Sequence, residues 1–297
     1  MSIQTVLEKN QKGNTQEWAE KKRQEREDFQ IETEQAVVEA RSSDDGFFKY
    51  LLTQAANPNL SASNVAALVH QAGESLPEVG SKEKWDALDR QINEGANPLK
   101  ITIPVKYEGK DGQEHRAFNV GYVYEMRDTI GETLESKTPP ITRQNDTLDK
   151  AFEGLVKASP VPIEIAQDVD AIDYQDMRDR IVIPRSVAEN FEVLLLQEIM
   201  EMVAKASLYS EPCYEGGDEL LELDSKSVVY LVSKRIGIPA DVPNITNMED
   251  FADGKEMKEL RSELNQIQKT AKEIGNSIEK TLSDRQKDNK NLDEAER

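Results

Sequence analysis

The chain is 297 residues long, 37% hydrophobic and 32% charged, with a formal charge of −20 and a single cysteine. That length suits one large domain or two ordinary ones, and the low apolar share leaves part of it for exposed helix or tail. One cysteine, Cys213, excludes an intrachain disulfide. No run approaches the roughly 18 apolar residues of a membrane helix, and the opening "MSIQTVLEKNQKGN" lacks a signal peptide's apolar core. A soluble cytoplasmic protein with no membrane partner is expected. The charge argues against simple non-specific nucleic-acid binding, since neutralising phosphates needs clustered Lys and Arg. It is unevenly spread: residues 146–225 hold 19 acidic against 6 basic side chains, and residues 58–135 hold 13 against 8. The acidic middle reads either as a solubility device or as a surface offered to a basic partner.

Residues 1–45 mix both signs with few apolar anchors, as in "WAEKKRQEREDFQIETEQAVVEA", and predict a solvated helix or an arm that docks on something else, which "SSDDG" then breaks. "NPNLSASNVAALVHQAG" predicts a helix capped by Ser61 or Ser63, with Val65, Leu68 and Val69 on one face. A second helix is predicted over "SKEKWDALDRQINEG", with Trp85, Leu88 and Ile92 at helical spacing and Gly95 as its C-cap. The period then changes to two. Ile101, Ile103, Val105 and Tyr107 alternate, a turn falls at 109–112, and Phe118, Val120, Tyr122 and Tyr124 resume, predicting a β-hairpin. The stretch 131–146, with two adjacent prolines, reads as a linker.

Beyond it "DTLDKAFEGLVKASP" predicts a helix, "VPIEIA" and "DRIVIP" short strands, and "LLLQEIMEMV" a helix around residue 197. After the acidic loop "SEPCYEGGDE", "LLELDSKSVVYLVSKRIGI" predicts a helix ended by Gly237 and Pro239. From about 247 a polar helix carries Leu260, Leu264, Ile267, Ile274 and Ile278 on one stripe, and the last 15 residues look frayed.

Five segments, in order, resemble the ArdC/LtrC-type antirestriction proteins of plasmids and conjugative elements. "LSASNVAALVHQ" is similar to that family's Y-S-x-R-N helix, and "VGSKEKWDALDRQINEGANPLKITIPV" to its Trp-centred helix, turn and strand. "FNVGYVYEMRDTIGE" resembles its F-x-V-x-x-V-F-D-x-S-Q-T-x-G. "DRIVIPRSVAENFEVLLLQEIMEMVAKA" stands in the place of its strand and H-E-x-x-H helix, and "ELDSKSVVYLVSKRIGI" resembles its E-x-E-A-E-S-V-A-Y helix. The resemblance spans roughly residues 48–282 and implies a single-stranded-DNA-binding domain joined to a zincin-like metallopeptidase domain. The expected fold class is therefore α+β: a helical arm over 1–45, a helix-and-hairpin domain over 46–135, a zincin-like domain over 146–245, and a C-terminal polar helix and tail over 247–297.

A zincin holds its metal with two imidazoles one helical turn apart and activates the bound water with the glutamate between them. Here Gln197 and Glu201 stand at the histidine positions, Glu198 matches the general base, and Glu222, with Asp224 near it, falls by the third-ligand position. Three readings stay open: a zincin scaffold without zinc or peptidase activity, a helix face that never held a site, and an oxygen-ligand site for Mg²⁺, Mn²⁺ or Ca²⁺. No catalytic residue, zinc ion or other cofactor is expected. His70 reads as a capping or half-buried side chain, His115 as a solvated one, and Cys213 has no activating neighbour. No phosphate-cradling glycine motif occurs. For nucleic acid, the resemblance leaves Lys82, Lys84, Arg90, Lys100, Lys106, Arg116 and Arg127 as phosphate contacts. Trp85, Tyr107, Tyr122 and Tyr124 are left for base stacking. The family's lysine-rich R-x-V-K-K-G-E-K turn is written Arg90-Gln91-Ile92-Asn93-Glu94-Gly95-Ala96-Asn97, without its lysines. The function expected is that of an accessory or antirestriction-like protein of a plasmid, conjugative element or phage that acts by binding single-stranded DNA or a host defence or conjugation protein. The alternatives are an acidic module inhibiting a host defence nuclease by protein contacts, and a metal-dependent hydrolase using Glu198.

Overall fold

The structure, a computed structural model, describes residues 3–108, 113–132, 141–142, 146–167, 169–189, 192–210 and 217–295; side chains are described within 17–283 except at 108, 115 and 116. Helix α1 (Ile3–Ser42) ends where the sequence breaks it, and Ser43 caps α2 (Asp44–Ala56) by accepting from the Gly46 amide. Helix α3 (Ala62–Ala72) is capped by Ser61, of the two serines the sequence offered. The charged segment over 1–45 is helical, and of the two readings it is the docked one within this chain: Phe29, Ala36, Val37 and Ala40 are buried. A stripe of one phenylalanine and small residues is enough to seat a helix when its neighbours approach closely, which overall polarity conceals.

The predicted helix over 81–95 stops early. Helix α4 (Lys82–Ala87) is followed by Asp89 at φ 52 and the two-residue strand β2 (Gln91–Ile92), which pairs with β5 (Thr129–Ile130). Gly95 has φ 85 but lies in the turn after β2 rather than at a helix end. What overrides the helical spacing is Arg90. Its buried guanidinium donates to Thr129 Oγ1 at 2.8 Å, to the Thr129 carbonyl and to the Glu132 carbonyl, tying the chain to the β5 segment.

The hairpin forms as predicted from β3 (Leu99–Glu108) and β4 (Glu114–Glu125), with Lys100 opposite Tyr122, Pro104 opposite Phe118 and Lys106 opposite Arg116. Strand β1 (Val79–Gly80) extends it beside β4. The other edge, β3, is closed by α3 rather than by a strand. Asn64 exchanges two hydrogen bonds with the Thr102 backbone (2.8 and 2.9 Å), and Gln71 exchanges two with the Lys100 backbone (2.8 and 2.9 Å). Residues 64 and 71 lie almost two helical turns apart and so share a face. Asn64→Ala leaves a peptide unit without its partner, and roughly 1–3 kcal/mol of stability is expected to be lost. A lower urea midpoint at unchanged slope is the readout.

Helix α5 (Thr147–Ala158) begins after Asp146, and strands β6 (Ile163–Ala166), β7 (Asp173–Gln175) and β8 (Arg180–Pro184) form a sheet of order β6-β8-β7, parallel at β6 and antiparallel at β7. Then come α6 (Arg185–Ala188), α7 (Val193–Tyr209), α8 (Asp218–Arg235), α9 (Met248–Ala252) and α10 (Met257–Ala295). The polar closing helix buries its predicted stripe, and the helix continues to Ala295 through the stretch expected to fray. Helices α5 and α10 touch backbone to backbone at Gly154, where a Cβ would stand 2.6 Å from Ile278 Cα. Ser277 Oγ donates to the Gly154 carbonyl there at 2.7 Å.

One large core joins α1, α2, α3, α5, β8, α7, α8 and α10, and a smaller one of Leu68, Leu76, Val79, Ile101 and Val123 lies under the hairpin. Helices from both sides of the 131–146 segment thus bury side chains together, and α3 contributes to both cores, Val65 and Ala66 to the large one and Leu68 to the small one. Among the described residues no helix is long and apolar enough to cross a membrane.

Candidate functional site

The α7–α8 seam is where the zinc frame falls. The two helices run antiparallel, with Gln197 opposite Ser233 and Lys205 opposite Glu222. The Gln197 amide donates to Ser233 Oγ (3.1 Å) and to the Pro239 carbonyl (3.2 Å). Glu201 pairs with Lys205 at 3.0 Å, Glu222 pairs with Lys226, and each lysine also feels the carboxylate across the seam. The hydrogen bond from Lys226 holds the Glu222 carboxyl below the usual carboxylate range. Glu198 points outward into solvent. Positions 201 and 222 therefore do come near each other, but as alternating charges rather than as ligands. Among the described residues no three His, Cys, Asp or Glu side chains stand close enough to hold a metal. This set does not fit zinc, which takes imidazole and thiolate donors. The two lysines already bring the positive charge that a divalent ion would supply.

Asp224 turns the other way. It is fully buried, and its carboxylate accepts from Arg41 Nη2 at 2.7 Å, while Arg41 Nε donates to Glu263 at 2.8 Å and Lys255 closes the cluster on Glu263. Burial pushes the Asp224 carboxyl up, to about 6, against the pull of Arg41. As a companion of the third-ligand position, Asp224 is corrected: it ties α8 to α1 and α10. Nothing in the sequence near Arg41 marks it as the one arginine of α1 that is buried.

The nucleic-acid candidates scatter. Trp85 is 0% exposed and donates Nε1–H to the Tyr124 carbonyl at 3.1 Å, so it is a core residue rather than a stacking one. Arg90 is likewise internal, holding β5, and is corrected as a phosphate contact. Lys82 pairs with Asp86, Lys84 with Glu78 and the Val79 carbonyl, and Arg127 with Glu74 and Glu125. The Arg116 and His115 side chains and Cys213 lie outside the described residues. His70 Nδ1 stands 2.7 Å from a Glu39 carboxylate oxygen, tying α3 to α1.

What does come together is one face of the hairpin. Its antiparallel register places Lys100, Pro104 and Lys106 beside Tyr122, Phe118 and residue 116. Phe118 is 64% exposed and Tyr122 42%. Among the described residues Lys106 pairs with Glu114 near the hairpin tip, at 2.8 Å with both side chains in solvent, a pair worth about 0–1 kcal/mol and readily exchanged for phosphate. Phe118 was not singled out by the sequence. Its parity with Tyr122, four residues on in one strand, is a signal, but only the cross-strand register shows that the lysines share that face. Tyr107, 54% exposed, stands on the opposite face with Ile103, beyond the small core.

The chain is thus a mixed α+β protein with one shared helical core and a projecting basic and aromatic hairpin. No protein-family model and no curated protein match it. Among solved structures it is similar to the antirestriction protein ArdC of plasmid R388. Against the metal-free form the TM-score is 0.41 at 14% identity, covering 74% of this chain and 83% of that one. Against the Mn(II)-bound form the TM-score is 0.43 at 14% identity, covering 75% and 83%.

Proposed function

We propose that this chain is an antirestriction-like accessory protein of a mobile genetic element that acts by binding, with single-stranded DNA lying along the hairpin. The type of protein rests on the five segments that resemble the ArdC/LtrC-type family. The binding mode rests on one observation: exposed Phe118 and Tyr122 on the strand face that carries Lys100 and Lys106. Bases stack on aromatic rings whatever their sequence, while cations alongside track the phosphates. A locally basic ribbon suits this even in a chain of charge −20, because salt confines each charge's influence to about 10 Å. The α7–α8 region is read as a peptidase-like scaffold that works without zinc chemistry, its ligand positions being taken by the amide of Gln197 and by the pairs Glu201–Lys205 and Glu222–Lys226.

Fluorescence anisotropy with a labelled oligo-dT of roughly 16 nucleotides tests the reading. Binding at low salt is expected, with log affinity falling by about 0.7 per contacted phosphate for each unit of log salt. Phe118→Ala is expected to weaken binding by about 5- to 150-fold, the worth of one stacked base. Absence of binding at low salt, or an affinity indifferent to salt, overturns it.

A further inference from the structure

Before Phe29 the described side chains of α1 stand in solvent, except that Lys22 and Glu25 are partly covered where the helix crosses the hairpin. There the Glu25 carboxylate accepts from the Tyr122 hydroxyl at 2.7 Å and from Lys22 Nζ at 2.6 Å, and Arg26 donates to Asn119 Oδ1 at 3.3 Å. One turn further on, Phe29 is buried, with Lys100 Nζ 6.0 Å from its ring centroid. A carboxylate therefore occupies the inner end of the basic and aromatic face, on the hydroxyl of its Tyr122 and near its Lys100, while at the outer end Phe118 is exposed and Lys106 holds only a solvent-exposed pair with Glu114 among the described residues.

Resting on the reading of the hairpin as a nucleic-acid surface, we infer that α1 is a built-in competitor for it, with Glu25 standing where a phosphate would bind until residues 17–28 lift away. A carboxylate and a phosphodiester seek the same partners, a lysine ammonium and a phenol hydroxyl. Both cannot be satisfied at once without two anions sharing one site. Lifting the segment breaks polar contacts at the surface, each worth about 1 kcal/mol or less, and bends the continuous helix α1 ahead of Phe29, which with the buried stripe beyond it keeps the rest in place. The strand would thus bind weakly at first through the outer half and gain the inner half only by displacing Glu25.

Glu25→Gln and Glu25→Ala test this in the full chain with the same oligo-dT, each with and without Phe118→Ala, after the unfolding midpoint has shown that the variants stay folded. Both Glu25 variants are expected to bind about fivefold tighter than the wild type at low salt. The gain should shrink as salt screens the charge. Phe118→Ala should weaken binding in every background. Unchanged or weaker binding by the Glu25 variants, with Phe118→Ala still deleterious, overturns the competitor and leaves the surface standing. No binding by any of the chains at low salt overturns both.

Discussion

Replacing Arg41 by methionine is expected to cost roughly 3–5 kcal/mol of folding stability, the largest loss from any single polar side chain here. Arg41 is 1% exposed and is the cation that holds the Asp224 and Glu263 carboxylates together between α1, α8 and α10. Methionine fills much of the volume but leaves the buried Asp224 carboxylate facing the partly buried one of Glu263, with Lys255 beside Glu263. The loss should depend on pH in a defined sense. With a folded-state value of about 6 against an unfolded value near 3.9, the Asp224 contribution is fully present below about pH 4. It is lost as pH rises through 6. Without Arg41 the carboxyl is held higher still, so the variant should regain stability on going from pH 7 to pH 5 by more than the wild type does. Arg41→Met combined with Asp224→Leu should be less damaging than Arg41→Met alone, since the second change removes the charge the first one stranded. Chemical denaturation of the wild type, Arg41→Met and the double variant at both pH values checks the ordering. A double variant no better than the single one would mean that packing, not charge, dominates the site.

The second large effect falls on Trp85. Trp85→Ala should cost about 3–5 kcal/mol, because it empties a fully enclosed indole site and leaves the Tyr124 carbonyl without its donor. Trp85→Phe keeps most of the volume and is expected to lose less and to stay folded. Its affinity for oligo-dT should match the wild type, in contrast to Phe118→Ala. The comparison separates an aromatic residue that builds the hairpin's support from one that meets the ligand. A drop in affinity for Trp85→Phe with an unchanged melting curve would return Trp85 to the binding surface.

How far these conclusions could be read without coordinates varies from element to element. The hairpin over 99–125 was legible because its alternation comes from partition between two faces within a few residues. So was the closing helix, whose Leu260, Leu264, Ile267, Ile274 and Ile278 all reach the core. The helix over 81–95 was not, since the arginine that stops it bonds to a segment 39 residues away. The aromatic candidates are mixed in fate: Trp85 lies inside, while Tyr122 is exposed together with Phe118, which the sequence placed in the hairpin but not among the stacking candidates.

The amino-acid sequence by itself determined the alternation of the hairpin, the stripe of the closing helix, a cap at Ser61 or Ser63, the absence of imidazoles from the Gln197–Glu201 frame, and the acidic balance. Each of these is a property of neighbours along the chain. Tertiary structure alone decided that Arg41 of a charged helix would be buried against Asp224, 183 residues away, and that Lys205 and Lys226, each already paired four residues along its own helix, would also face the other helix's glutamate. It alone also decided that Glu25 would stand over Tyr122. The reason is common to all three. A charged side chain looks alike in sequence whether it ends in water or against a counter-ion, and only long-range packing chooses between the two.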